Sequence, residues 1–428
     1  MTSRVAIVGA GPAGLAVVSA LRRRGIPLRV FERADGVGGL WDISRPVTPI
    51  YDTTHLISSA PMSGFEAVPM PQHFPDYPSH RLVLDYLREY AATLELDGDI
   101  DLAVEVSAVT EVTDGWILTL SDGRTTEPFS DVVLATGHQW EPNLPAYAPN
   151  FGGLAIHSMH YRSPELLRGR RVLIVGGGNS ACDIACDAAP LAARVWLSMR
   201  RGYHFFPKHI AGIPADQFSS RLRHRVDADG SVSTIERMLR SIVGNPGRFG
   251  LPKPDHRPFE SNPIVNTQVL HFIAQGDVQP VTDVASVVGT AVHLVDGGRI
   301  QPDVIVFATG YKHRVPLLDA VLGRPGRTGD LILNAVAVAV DQGGIYVTGL
   351  FETDGPAFPL LSLQAELVAA CAGRRRDAPV RALLAAYANA DTSGGRRYVD
   401  SERHKVTVDR TTYARTLERA VAVASHAG

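Results

Sequence analysis

Six residues near the start, Gly9-Ala10-Gly11-Pro12-Ala13-Gly14, follow the short β-branched run 5–8 and open a helix-like stretch to Arg24. Glycines spaced G-x-G-x-x-G between a strand and a helix suit one task. The first allows a tight turn, the second lets the backbone approach a pyrophosphate, and the third packs helix on strand. The helix N-terminus adds free N–H groups and a partial positive charge for the phosphates. Glu32 stands 23 residues after Gly9, at the end of the next strand-like run, 28–32. A carboxylate there accepts hydrogen bonds from the hydroxyls of an adenosine ribose. The alternative is a glycine-rich turn beside a surface glutamate, but strand, turn, helix and acid occurring together favour a dinucleotide.

The pattern occurs twice. The run 171–175 (RVLIV) leads into Gly176-Gly177-Gly178-Asn179-Ser180-Ala181, a G-x-G-x-x-A motif, then a helix-like stretch 182–193 and a strand-like run 194–198. No carboxylate ends this second unit; Arg200 and Arg201 stand there instead. A guanidinium fork matches a phosphate dianion, which a carboxylate would repel. The second nucleotide is therefore expected to be NADPH rather than NADH, the competing account being two solvated arginines. Cys182 and Cys186 fall on one face of the following helix. They are expected to pack as small apolar residues, because a redox disulfide should face a flavin and not this helix. His157, His160 and His204 lack metal-ligand spacing, and no HExxH, CxxC pair or GxSxG occurs. Electrons can thus enter from NADPH and pass to a flavin, then to oxygen or an organic acceptor.

The elements that must position these motifs form an α/β architecture of two Rossmann-like dinucleotide-binding domains, one inserted in the other. The runs 131–137 (DVVLATG) and 303–310 (DVIVFATG) echo each other. The first leads into a Pro-rich crossing, 138–149, and the second leads back. Residues 1–150 and 305–428 are expected to form the FAD-binding domain, and 160–300 the NADP-binding domain. A strand-like run 344–349 precedes a helix-like stretch 361–373. Residues 211–262 look like a polar excursion punctuated by Pro and Gly, and 376–428 are Arg/Ala-rich and helical in character.

Composition bounds the rest. The 428 residues are 45% hydrophobic and 20% charged, enough for buried cores and against disorder. A net charge of −2 offers no basic field for nucleic acid. Three cysteines exclude a disulfide scaffold. The uncharged stretch 5–21 is flanked by arginines like a targeting segment, but its central glycines fit strand–turn–helix instead. No other long apolar run exists, so a soluble, cytoplasmic protein with no membrane partner is expected.

Between the two halves, Phe151-Gly152-Gly153-Leu154-Ala155-Ile156-His157-Ser158-Met159-His160-Tyr161 fits F-x-G-x-x-x-H-x-x-x-Y. This resembles the identifying motif of the flavin-containing monooxygenases; the related Baeyer–Villiger enzymes usually carry Trp where Tyr161 stands. Gly38-Gly39-Leu40-Trp41, Thr136-Gly137-His138 and Phe307-Ala308-Thr309-Gly310-Tyr311 also resemble that family, over roughly residues 4–370. The resemblance implies that NADPH reduces FAD and that oxygen forms a C4a-hydroperoxyflavin. One oxygen atom of O2 then passes to a nitrogen or sulfur nucleophile of a small substrate. It also implies that Glu32, Arg33, Gly39, Leu40, Trp41, Thr136 and Gly137 contact FAD. Tyr161, Asn179, Ser180, Arg200 and Arg201 would contact NADP, with interdomain packing the competing account for His157 and Tyr161. The family's Asn near the flavin edge is replaced here by Ser58 or Ser59, the expected catalytic hydroxyls, which puts the oxygenated flavin's lifetime in doubt. The missing apolar C-terminal anchor suggests a soluble bacterial type, with a homodimer left open. The alternatives are a Baeyer–Villiger enzyme, an NADPH oxidase releasing peroxide, or a non-enzymatic flavin redox sensor.

Overall fold

A computed structural model of the chain describes residues 4–223, 228–321 and 343–426. The chain divides into two compact units: Met1–Arg45, Ala60–Glu141 and Lys312–Gly428 form the first, Pro46–Ser59 and Pro142–Tyr311 the second.

In the first unit five parallel strands lie in the order Ile345–Val347, Asp131–Leu134, Val5–Val8, Leu28–Phe31, Ile100–Asp101. The central strand Val5–Val8 is a short unbroken apolar run, buried throughout, because a parallel sheet is covered on both faces. Val8 is level with both Phe31 and Leu134, so three strands end together at the carboxyl edge. The helix Pro12–Arg23 packs on the helix Phe358–Cys371, and the antiparallel pair Val106–Val112 and Gly115–Leu120 buries Trp116 in the core beyond the sheet. Helices Ala378–Ala388 and Arg410–His426 fill the C-terminal part.

The second unit repeats the plan, with the parallel order Val278–Val281, Arg194–Ser198, Arg171–Val175, Val304–Phe307, Leu154–His157. An antiparallel meander (Val284–Val288, Ala291–Leu294, Arg299–Ile300) extends it. The polar excursion at 211–262 contains the helices Ala215–Arg223 and Ala228–Ile242. Ile235 and Leu239, one helical turn apart, pack with Phe206 and Phe259 in a small core of their own.

Pro46–Ser59 belongs to the second unit, although it is distant in sequence from the rest of it, and a polar clasp explains why. Tyr51 donates its hydroxyl to Asp183 (3.1 Å) and Thr53 to Asp187 (2.7 Å), both on the helix Asn179–Ala188. The Asp52 N–H donates to the Arg162 carbonyl (2.9 Å), and the Arg162 guanidinium reaches the Thr48 carbonyl (3.2 Å). Among the described residues no helix is long and apolar enough to cross a membrane.

Candidate functional site: two glycine loops

Each loop follows the central strand of its sheet, and each is pinned by the same contact. Gly9 has φ +109°, and a Cβ there would lie 2.5 Å from the Ala135 carbonyl oxygen. Gly176 has φ +142°, and a Cβ there would lie 2.3 Å from the Ala308 carbonyl oxygen. Ala135 and Ala308 begin the two Ala-Thr-Gly exits. The echo between 131–137 and 303–310 therefore has a physical reason: each exit presses on the first glycine of its own loop, and no side chain fits between.

In the first unit, Gly11 is the N-cap of the helix Pro12–Arg23 and no side chain caps it. Its terminal N–H groups are left for an anion. The Gly39–Trp41 turn brings Gly39 so close that a Cβ would lie 2.9 Å from the Gly11 Cα. Glu32 is buried at the end of its strand. Its Oε2 accepts from the Ala10 N–H (2.7 Å), and its Oε1 from the Ala34 N–H (3.0 Å) and Arg45 (3.0 Å). The carboxylate is thus aimed at the glycine loop, and Oε2, with two lone pairs, has capacity beyond the Ala10 bond for a ribose hydroxyl. Leu40 and Trp41 are half-buried, while Arg33, Thr136 and Gly137 are exposed. Arg45 carried no sequence signal, since its role depends on a turn that brings it back 13 positions.

In the second unit, Gly178 is likewise an N-cap without a side-chain partner. Asn179, expected to touch NADP, uses its amide internally: Oδ1 accepts from the Val265 N–H (2.8 Å) and Nδ2 donates to the Pro263 carbonyl (3.1 Å). Ser180 is half-buried at the same helix start, and Ala181 is fully buried. Gly177 is covered by the Tyr203 ring, whose nearest atom would be 2.3 Å from a Cβ there. Arg200 is exposed, and Arg201 lies 3.8 Å from the Asp255 carboxylate. Gly202 fixes this loop, because a Cβ there would meet the Pro252–Pro254 backbone at 2.3–2.4 Å. Tyr203 and Asp255 were not legible from spacing.

The linking motif is built into the second unit's core. Phe151 packs among Leu173, Val175 and Phe307, and a Cβ on Gly153 would strike the Phe151 ring at 2.6 Å. His157 donates from Nε2 to the Gly310 carbonyl (3.0 Å) and accepts the Met159 N–H on Nδ1 (3.2 Å). Burial pushes its pKa down to about 4, so the ring is neutral. Tyr161 is 0% exposed, donates to Asp187 (3.0 Å) and packs edge-on against Tyr51. Of the two accounts weighed for Tyr161, contact with NADP and packing, a side chain closed on all sides with its hydroxyl engaged fits packing. Asp183 and Asp187, which no motif singled out, are both raised by burial.

Ser59 is buried, with its N–H donating to Asp216 (2.7 Å) and its hydroxyl accepting from Gln217 (3.5 Å); Ser58 is half-buried. Burial raises both helix thiols, Cys186 to about 12. Neither is a thiolate at neutral pH.

A family model described as flavin-binding monooxygenase-like matches residues 2–426. The chain is 29% identical to flavin-containing monooxygenase 5 of Oryctolagus cuniculus over 440 residues, covering 97% of this chain and 81% of that protein. Its fold is similar to S-allyl-L-cysteine S-oxygenase from Allium sativum (TM-score 0.67, 22% identity, 99% and 89% of the two chains). It is also similar to an oxidized steroid monooxygenase bound to NADP (TM-score 0.69, 18% identity, 99% and 97%). Two glycine loops in two Rossmann-like units and a match spanning nearly the whole chain lead to one conclusion: this protein belongs to the flavin-binding monooxygenase family, oxidoreductases that use FAD and NADP.

Proposed function

We propose that the chain is an NADPH-dependent monooxygenase that transfers one oxygen atom of O2 to a nitrogen or sulfur atom of a small substrate, the other leaving as water. The observation that carries the reading is the pair of glycine loops, each with an uncapped helix N-terminus, only the first followed by a buried carboxylate. In this reading FAD occupies the first loop, with Glu32 on its ribose, and NADPH the second, with Arg200 and Arg201 on the 2′-phosphate. FAD, when bound, supplies the hydride-accepting and oxygen-activating chemistry. The protein's part is to bind, orient and exclude water. Glu32 and Arg45 hold the first loop in shape, Asn179 holds the Pro263–Val265 backbone against the second, and Gly202 fixes the arginine loop.

Nitrogen or sulfur oxygenation is favoured over ketone oxygenation by Tyr161. Its hydroxyl is matched to Asp187 in a closed core, where the bulkier indole usual in the ketone-oxygenating relatives would not fit without repacking. S-oxygenation, the activity of the Allium neighbour, agrees with this substrate class. The test is NADPH consumption under 18O2 with a panel of tertiary amines, thioethers and cyclic ketones. Label in N-oxides or sulfoxides supports the reading. Label in lactones, or peroxide alone, overturns it.

A further inference from the structure

A half-buried charged cluster lies in the first unit, past the carboxyl ends of the Asp131–Leu134 and Ile345–Val347 strands. Glu32 follows the Leu28–Phe31 strand and the glycine loop follows Val5–Val8. A dinucleotide with its adenosine at Glu32 and its pyrophosphate on the loop therefore extends its other end toward Asp131–Leu134 and then Ile345–Val347, at about 4.8 Å per strand. The turn after Ile345–Val347 closes on that place. A Cβ on Gly349 would lie 2.9 Å from the Ala13 Cβ, in the first turn of the loop's own helix.

Gly349 is held at both ends. Its N–H donates to the buried Gln364 (2.9 Å), and its carbonyl accepts from His138 Nδ1 (3.0 Å). The other ring nitrogen of His138 faces Glu352 (3.4 Å), which also accepts from Gln139 (3.2 Å) and Arg403 (3.2 Å). Burial pushes the Glu352 carboxyl up, but Arg403 and His138 outweigh it, and its pKa lies well below the usual carboxylate range. Arg403 arrives from the C-terminal segment, whose strand Thr407–Val408 pairs in parallel with Glu352–Thr353. Arg396 of the same segment bridges Asp354 (2.8 Å) and Asp409 (2.7 Å).

We propose that Glu352 is a positioning residue for the flavin: clamped by Arg403, it orients His138 and so fixes Gly349 at the flavin end of the site. The C-terminal segment thereby becomes part of the cofactor site. This rests on the reading that the first loop holds FAD. In this reading the cluster also puts an anion and a cation at the flavin end of the site.

The test uses the full-length holoprotein and reads the flavin's midpoint potential, its visible spectrum and the FAD Kd. Glu352→Gln removes the anion, so the midpoint potential should become more positive, the flavin bands should shift, and the FAD Kd should rise roughly tenfold. Arg403→Gln removes the cation and should move the potential the opposite way. Opposite signs support the proposal, since general loosening would move both variants alike. It is overturned if both keep the wild-type potential, spectrum and FAD affinity and only melt earlier, or if both move the potential in the same direction. Should Glu352→Gln fail to fold, Arg403→Gln, at the more exposed side of the cluster, decides by the sign of its shift. A wild-type chain that takes up no FAD overturns the site assignment itself, and this inference with it.

Discussion

At the scale of the residue, the clearest division of labour is between side chains left for a ligand and side chains engaged by the protein. Arg200 is exposed and Arg201 makes a long ion pair (3.8 Å) with Asp255. Replacing both by Ala should raise the KM for NADPH by at least about tenfold, about 1.4 kcal/mol, and leave that for NADH nearly unchanged. Steady-state kinetics with both coenzymes checks it, and equal losses refute the 2′-phosphate role. His157 is engaged and neutral, with its pKa at about 4 against an ordinary 6.5. The unfolded chain therefore binds the proton first as the pH falls. The stability owed to the neutral ring is complete above about pH 6.5 and lost toward pH 4, a difference of about 3 kcal/mol. Denaturant melts from pH 7 to 4.5 should show the wild type's advantage over His157→Gln narrowing with acid. Of the two serines, Ser58 keeps access to solvent while Ser59 is enclosed beside Asp216 and Gln217. Ser58→Ala should release about two- to tenfold more hydrogen peroxide per NADPH oxidised, the effect of one neutral hydrogen bond; an unchanged peroxide yield removes Ser58 from the site.

At the scale of the element, the helix Asn179–Ala188 does two things at once. Its N-terminus faces the second glycine loop, and its far face carries Asp183 and Asp187, which clasp Tyr51, Thr53 and Tyr161. The linking motif supplies a ring (Phe151), a glycine that clears it (Gly153), an imidazole spanning two loops (His157) and a phenol ending on a carboxylate (Tyr161). Tyr161→Phe leaves Asp187 one donor short in a buried place. The expected cost is about 1–3 kcal/mol in denaturant melts, with the NADP Kd within about twofold of wild type. A large loss of NADP affinity at unchanged stability would restore direct contact.

At the scale of the whole molecule, two units of one plan each press an Ala-Thr-Gly exit on their own glycine loop. The two loops should therefore fail separately. Gly9→Ala forces a Cβ onto the Ala135 carbonyl and should abolish FAD retention. Gly176→Ala forces one onto the Ala308 carbonyl and should leave a yellow protein whose flavin NADPH no longer reduces. Flavin content and anaerobic reduction measure the two, and loss of flavin in both variants would mean the loops do not act independently.

What the sequence determined by itself was local and contiguous. The strand, glycine turn and helix of each nucleotide motif are consecutive residues, so spacing and residue type report their geometry directly, and Glu32 follows one strand later. The parallel strands were legible as short apolar runs for the same reason. Only the tertiary structure decided which residues meet across the sheets: Tyr51 with Asp183 is a pairing over 132 positions, and Arg403 with Glu352 one over 51. Such contacts are set by strand order and by the return path of the chain, and a lone tyrosine or arginine looks the same whether it ends in solvent or on a buried carboxylate. Tyr161 shows the limit well. Its place in the motif was visible, but burial and its partner Asp187 depend on a helix 26 positions away, and no spacing in the motif reports either.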